Sequence, residues 1–133
     1  MAGVSEEVYD VTPESAWTIY AGIESDDVVY CAAERDADGA LLRVGTDGSQ
    51  WQVAVPHTVD LDYGGTFQLD GRALNLGGAT GAGWSFGWLT LPDVAALRSG
   101  GLLVVDVDRA SIDYDLAGIA PALDAVTACI ADA

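Results

Sequence analysis

The sequence predicts a mainly β domain of the α+β kind: an antiparallel β-sandwich or partly open barrel with one short helix and a C-terminal helix. Three observations lead there. Short apolar stretches with period-2 alternation recur along the chain, separated by tight Asp- and Gly-containing turns, the pattern of antiparallel strands. The period changes to that of a helix only twice, after Thr90 and after Gly118. The 133 residues are half apolar, which suits one domain. A chain of this size buries roughly two thirds of its unfolded surface.

Residues 1–15 show no sustained period and read as a loose lead-in to a single domain over residues 16–133. Trp17, Ile19 and Ala21 alternate with Thr18 and Tyr20 as a first strand. Ser25-Asp26-Asp27 is a turn, and Val28 to Ala33 is a second strand that carries Cys31. Asp36-Ala37-Asp38-Gly39 is a hairpin turn leading to a third strand, Ala40 to Val44. Thr46-Asp47-Gly48-Ser49 turns again, and Trp51, Val53 and Val55 form a fourth strand stopped by Pro56. Val59, Leu61 and Tyr63 alternate with Asp60 and Asp62 before Gly64-Gly65. Phe67 and Leu69 lead to a hairpin signal at Asp70-Gly71 and on to Ala73 to Leu76. The glycine-rich stretch Gly77 to Gly83 reads as a mobile loop, and Ser85 to Leu89 as a short strand.

Thr90 is suited to cap a short helix, with Pro92 in the first turn and Asp93 three residues after the cap. Val94 and Leu97 give that helix an inner face, and Gly100-Gly101 end it. Leu102 to Val107 is a strongly apolar strand. A turn over Asp108 to Ser111 would set Val105 opposite Tyr114 and Asp106 opposite Asp113. Ile112, Tyr114 and Leu116 alternate with Asp113 and Asp115 as a last strand. Beyond Gly118, Ile119, Leu123, Val126 and Ile130 fall on one helical face with Cys129 at its edge. The only other cysteine is Cys31, and a Cys31–Cys129 disulfide would pin the C-terminal helix onto an N-terminal strand. Closing a loop of ~98 residues stabilises by up to about 4–5 kcal/mol. The alternative is a pair of buried free thiols. Neither cysteine lies in a C-x-x-C motif, which argues against redox catalysis.

The formal charge is −16, and the chain has no lysine. Such a surface repels phosphates and anionic membranes, so nucleic acid and membrane are poor partners; the charge serves either solubility in a salty medium or a docking surface for a basic protein or a mimicry of nucleic acid. No apolar run approaches the ~18 residues of a membrane span. Met1 to Asp10 is acidic and has no signal-peptide pattern. The chain is therefore either cytoplasmic or a mature periplasmic or secreted protein with an added Met, and the distant cysteine pair favours the oxidising compartment.

Motifs for chemistry are sparse. Gly83-Trp84-Ser85-Phe86-Gly87 fits G-x-S-x-G, but the only histidine, His57, precedes the serine, and the chain is short for that hydrolase fold. The simpler reading is a glycine-flanked strand with Trp84, Phe86 and Trp88 on one face. The glycine loop lacks the lysine of a phosphate-binding loop. One histidine and two distant cysteines make no zinc site. Asp106, Asp108, Asp113 and Asp115 project from one face of the last hairpin, where like charges across strands disfavour each other. The pair Asp106 and Asp113 is accordingly a weak calcium candidate, although the spacing is not that of an EF-hand. With Trp84, which glycines surround, these four Asp residues are the candidate contact surface. No catalytic residue and no cofactor is expected.

The chain from Trp17 onward resembles small alphaproteobacterial periplasmic domains of unknown function, loosely similar to the invasion-associated locus B group. The matching residues are Trp17, Cys31-Ala32-Ala33, Gly39-Ala40-Leu41-Leu42, Trp51, Asp115-Leu116-Ala117-Gly118 and Ala122-Leu123-Asp124-Ala125-Val126 with Cys129. The resemblance implies fold, export and a disulfide, and carries over no catalytic residues. The expectation is a non-enzymatic binding or accessory protein acting through protein contacts. The alternatives are an acidic inhibitor or immunity-type protein that neutralises a basic enzyme or toxin, and a small hydrolase.

Overall fold

A computed structural model of the chain describes residues 5–11, 17–37, 40–55, 66–73, 78–81, 84–107 and 110–131. Its elements are β1 (Ser5–Val11), β2 (Trp17–Glu24), β3 (Asp27–Ala37), β4 (Ala40–Thr46), β5 (Trp51–Val55), β6 (Thr66–Leu69), β7 (Arg72–Ala73), β8 (Gly78–Gly81), β9 (Trp84–Leu89), α1 (Leu91–Ser99), β10 (Leu102–Val107), β11 (Ala110–Asp115) and α2 (Ile119–Ala131). Seven strands form one sheet in the order β1-β2-β3-β4-β5-β9-β8, and four form another in the order β11-β10-β6-β7. Every pairing is antiparallel. Among the described residues neither sheet closes on itself, so the fold is an α+β sandwich and not a barrel.

The period-2 alternation decides which face of each strand is buried. Trp17, Ile19 and Ala21 of β2, Cys31 and Ala33 of β3, Leu42 and Val44 of β4, and Val53 and Val55 of β5 all point into the core. Phe67, Leu69, Leu103, Val105 and Tyr114 supply the inner face of the smaller sheet. Helix α2 lies over β2, β3 and β4 and adds Ile119, Ala122, Leu123, Val126 and Cys129 to the same core. Two polar links cross the layers. The Trp17 indole donates to the Ala117 carbonyl at 2.9 Å, and the Tyr114 hydroxyl donates to the Leu41 carbonyl at 3.1 Å. Both satisfy a polar atom that an aromatic carries into the interior. The Cys31–Cys129 disulfide is formed, with Cα atoms 6.2 Å apart across a sequence separation of 98. It joins β3 to the last turns of α2.

Turn chemistry is local. Ser25 (φ 52°) and Asp26 (φ 66°) both take positive φ, as do Asp70 (φ 50°) and Gly71 (φ 81°). Two positive φ values in a two-residue hairpin match the right-handed twist of the flanking strands. In the β4–β5 turn, the Asp47 carboxylate accepts from the Ser49 and Gln50 amides at 2.8 and 2.9 Å. Helix α1 opens with a capping box: Thr90 Oγ1 accepts from the Asp93 amide, and the Asp93 carboxylate accepts from the Thr90 amide.

Three expectations are corrected. Residues 5–11 are not a loose lead-in but the strand β1, paired with β2. A bulge between Val8 and Asp10 breaks the alternation that marks a strand in sequence, and its side chains at residues 5–9 face solvent. The glycine stretch is not simply a loop, because Gly78–Gly81 is the strand β8, paired with β9. Glycine leaves no side-chain pattern to read, whereas its backbone groups pair as readily as any. Finally, β10 and β11 pair two residues closer than expected. Val107 meets Ala110, Val105 meets Ile112, and Asp106 meets Ser111. A slip of two keeps every side chain on its face, so Val105 and Tyr114 are still buried. Residues 56–65, with His57, Val59, Leu61 and Tyr63, and residues 74–77 lie outside the described set, as do Asp38 and Gly39.

Candidate interaction surface

The acidic residues singled out from the sequence do not face one another in the expected register. Asp106 pairs in register with Ser111 on one side and Thr66 on the other, not with Asp113. Asp113 lies opposite Val104, and Asp115 opposite Leu102. Asp108 lies outside the described residues. The direct carboxylate pair that suggested calcium is therefore absent from the register. Among the described residues no three His, Cys, Asp or Glu side chains gather at metal-binding distance. Asp113 and Asp115 are exposed on β11, the outermost strand of the smaller sheet. Asp115 also accepts from the Ala117 amide at 2.9 Å, which sets the turn into α2. Trp84 opens β9 opposite Gly81. Ser85 sits inside the same strand, opposite Val55 and Thr80, and the strand runs on to Leu89. It is therefore not at the strand-to-helix elbow that the hydrolase motif requires.

A charged cluster that sequence reasoning missed lies on the outer face of the larger sheet. Arg43 of β4 reaches Glu34 of β3 through Nε at 2.6 Å, and Glu6 of β1 through Nη1 at 2.5 Å and Nη2 at 2.9 Å. The Tyr30 hydroxyl donates to the same Glu6 carboxylate. The Arg43 guanidinium also stands 5.2 Å from the centre of the Tyr20 ring, a cation–π contact. Its bonds to Arg43 hold the Glu6 carboxyl below the usual carboxylate range, against the opposing effect of burial. Burial, followed by the bond to Glu6, pushes the Tyr30 phenol up to about 12. The Glu34–Arg43 half of this cluster was readable. With Ala37 opposite Ala40, counting back places Glu34 opposite Arg43. The Glu6 half was not, because β1 carries no clear period.

Two of the described arginines are engaged within the molecule. Arg43 serves Glu6 and Glu34, and Arg98 of α1 bonds Asp124 and the Ala120 carbonyl of α2. With 5 cations against 21 acids in the whole chain, the acids far outnumber the bases.

Comparison with family models, curated proteins and solved structures finds no match. No described helix is long and apolar enough to cross a membrane.

Proposed function

We propose that this chain is a non-enzymatic binding module of an oxidising compartment that engages a basic partner through the acidic edge of its smaller sheet. The observation that carries the reading is the exposure of Asp113 and Asp115 on the outermost strand β11, while Arg43 and Arg98 are engaged in ion pairs elsewhere. An acidic edge draws a basic surface towards it and makes association salt-sensitive. The disulfide is compatible with the periplasmic or extracellular setting. The resemblance to the invasion-associated locus B group belongs to the same reading.

Capture of extract proteins on the immobilised chain tests it, with Asp113→Asn/Asp115→Asn beside the native chain. The reading expects a basic protein that the native chain retains at low ionic strength, releases at high ionic strength, and that the double variant fails to hold. Retention that ignores both salt and the variant contradicts it.

A further inference from the structure

Strand β1 is the outermost strand of the larger sheet and pairs with β2 alone. Its side chains at residues 5–9 are exposed. Beyond its ladder with β2, Glu6 ties it to β3 and β4. Glu6 lies opposite Gly22 of β2, and the Tyr30 ring occupies the space a side chain at Gly22 would fill: a Cβ there would be 2.1 Å from Tyr30 Cε1. Gly22 thus lets Tyr30 pass over β2 and reach β1 from β3. Arg43 reaches the same carboxylate from β4. Among the described residues the groups gathered at Glu6 are Tyr30 and Arg43, with Glu34 and the Tyr20 ring holding Arg43 in turn.

We propose that β1 is a strap, latched while the Glu6 carboxylate is ionised and released when that carboxylate takes up a proton, uncovering the edge of β2. The ionised carboxylate accepts from both Arg43 nitrogens and from Tyr30. Protonation removes the charge that makes these bonds strong and leaves Arg43 to Glu34. Because Glu6 is held below its ordinary value of 4.5, its contribution is complete above that value and is lost as pH falls through the lower, folded-state value. A strap freed in this way leaves the outer N–H and C=O groups of β2 unpaired, a template for strand addition.

Amide hydrogen exchange on the full chain at neutral pH tests the latch, comparing native protein with Glu6→Gln, Tyr30→Phe and Glu7→Gln. Glu6→Gln is expected to speed exchange in β1 and the outer edge of β2 by roughly tenfold or more, the scale of a lost charge-assisted pair. Amides of β5 and β10 should be unchanged. Tyr30→Phe gives a smaller rise in the same segments, and Glu7→Gln, a neighbouring carboxylate outside the cluster, gives none. Native protein in acid, corrected for intrinsic exchange, should show the same selective loss. The proposal is overturned if Glu6→Gln and Glu7→Gln behave alike, if loosening spreads evenly through the core, or if acid leaves β1 as protected as β5.

Discussion

Tyr30 and Tyr114 are both held in the neutral form, for partly different reasons. Burial alone pushes the Tyr114 phenol up to about 12, while Tyr30 reaches about 12 through burial and its bond to an ionised Glu6. Each phenol binds its proton more tightly in the folded chain than at the ordinary value of 10, so its share of stability is complete below 10 and fades as pH rises towards 12. An ultraviolet titration of phenolate should therefore show a late wave that shrinks in Tyr30→Phe and again in Tyr114→Phe. A single wave near 10 for all phenols would contradict the assignment. Gly22→Ala should drive Tyr30 off the Glu6 carboxylate, costing about 1–3 kcal/mol by overpacking. Denaturant unfolding measures that, and Tyr30→Phe on the Gly22→Ala background should then add little. At this scale the sequence was informative where residue type alone decides: Trp17, Cys31, Tyr114 and Cys129 were all readable as core. Glu6 was not, because its role depends on a glycine and a tyrosine two strands away.

Elements were legible where local chemistry specifies them. The capping box of α1 follows from Thr90 and Asp93 alone, and Thr90→Ala should cost about 1 kcal/mol, read as a shifted denaturation midpoint. The Asp70-Gly71 and Ser25-Asp26 turns follow from residues that tolerate positive φ. Where pairing is decided by a distant strand, sequence falls short. Strand β8 is a strand only because β9 offers its edge, and β1 is interrupted by its own bulge. The β10–β11 hairpin was recognised, with its faces correct, yet its register was not. Apolar alternation specifies the face of a strand and is blind to a slip of two. That slip sets Asp106 opposite Ser111 and Asp113 opposite Val104, while the buried Val105 and Tyr114 stay in place.

On the scale of the whole molecule, two features dominate: a surplus of negative charge and a helix pinned over one sheet. At −16 the folded chain repels itself, so added salt should raise its melting temperature by screening that repulsion. A melting temperature that falls or stays level from low to moderate salt would mean the surface charges are better matched than the sequence implies. The helix α2 closes the face of β2, β3 and β4, and its last turns are tied to β3 by Cys31–Cys129. Reduction should cost about 2–5 kcal/mol, the usual range for a native disulfide. At a chain of this size that corresponds to roughly 6–20 °C in melting temperature.

The most direct test of this architecture is intact mass after alkylation in denaturant, with and without prior reductant, on protein purified from an oxidising compartment. No alkyl group is expected to be added before reduction, and both Cys31 and Cys129 are expected to be labelled after it. Full labelling of both thiols without reductant would contradict the staple, and with it the case for an exported protein.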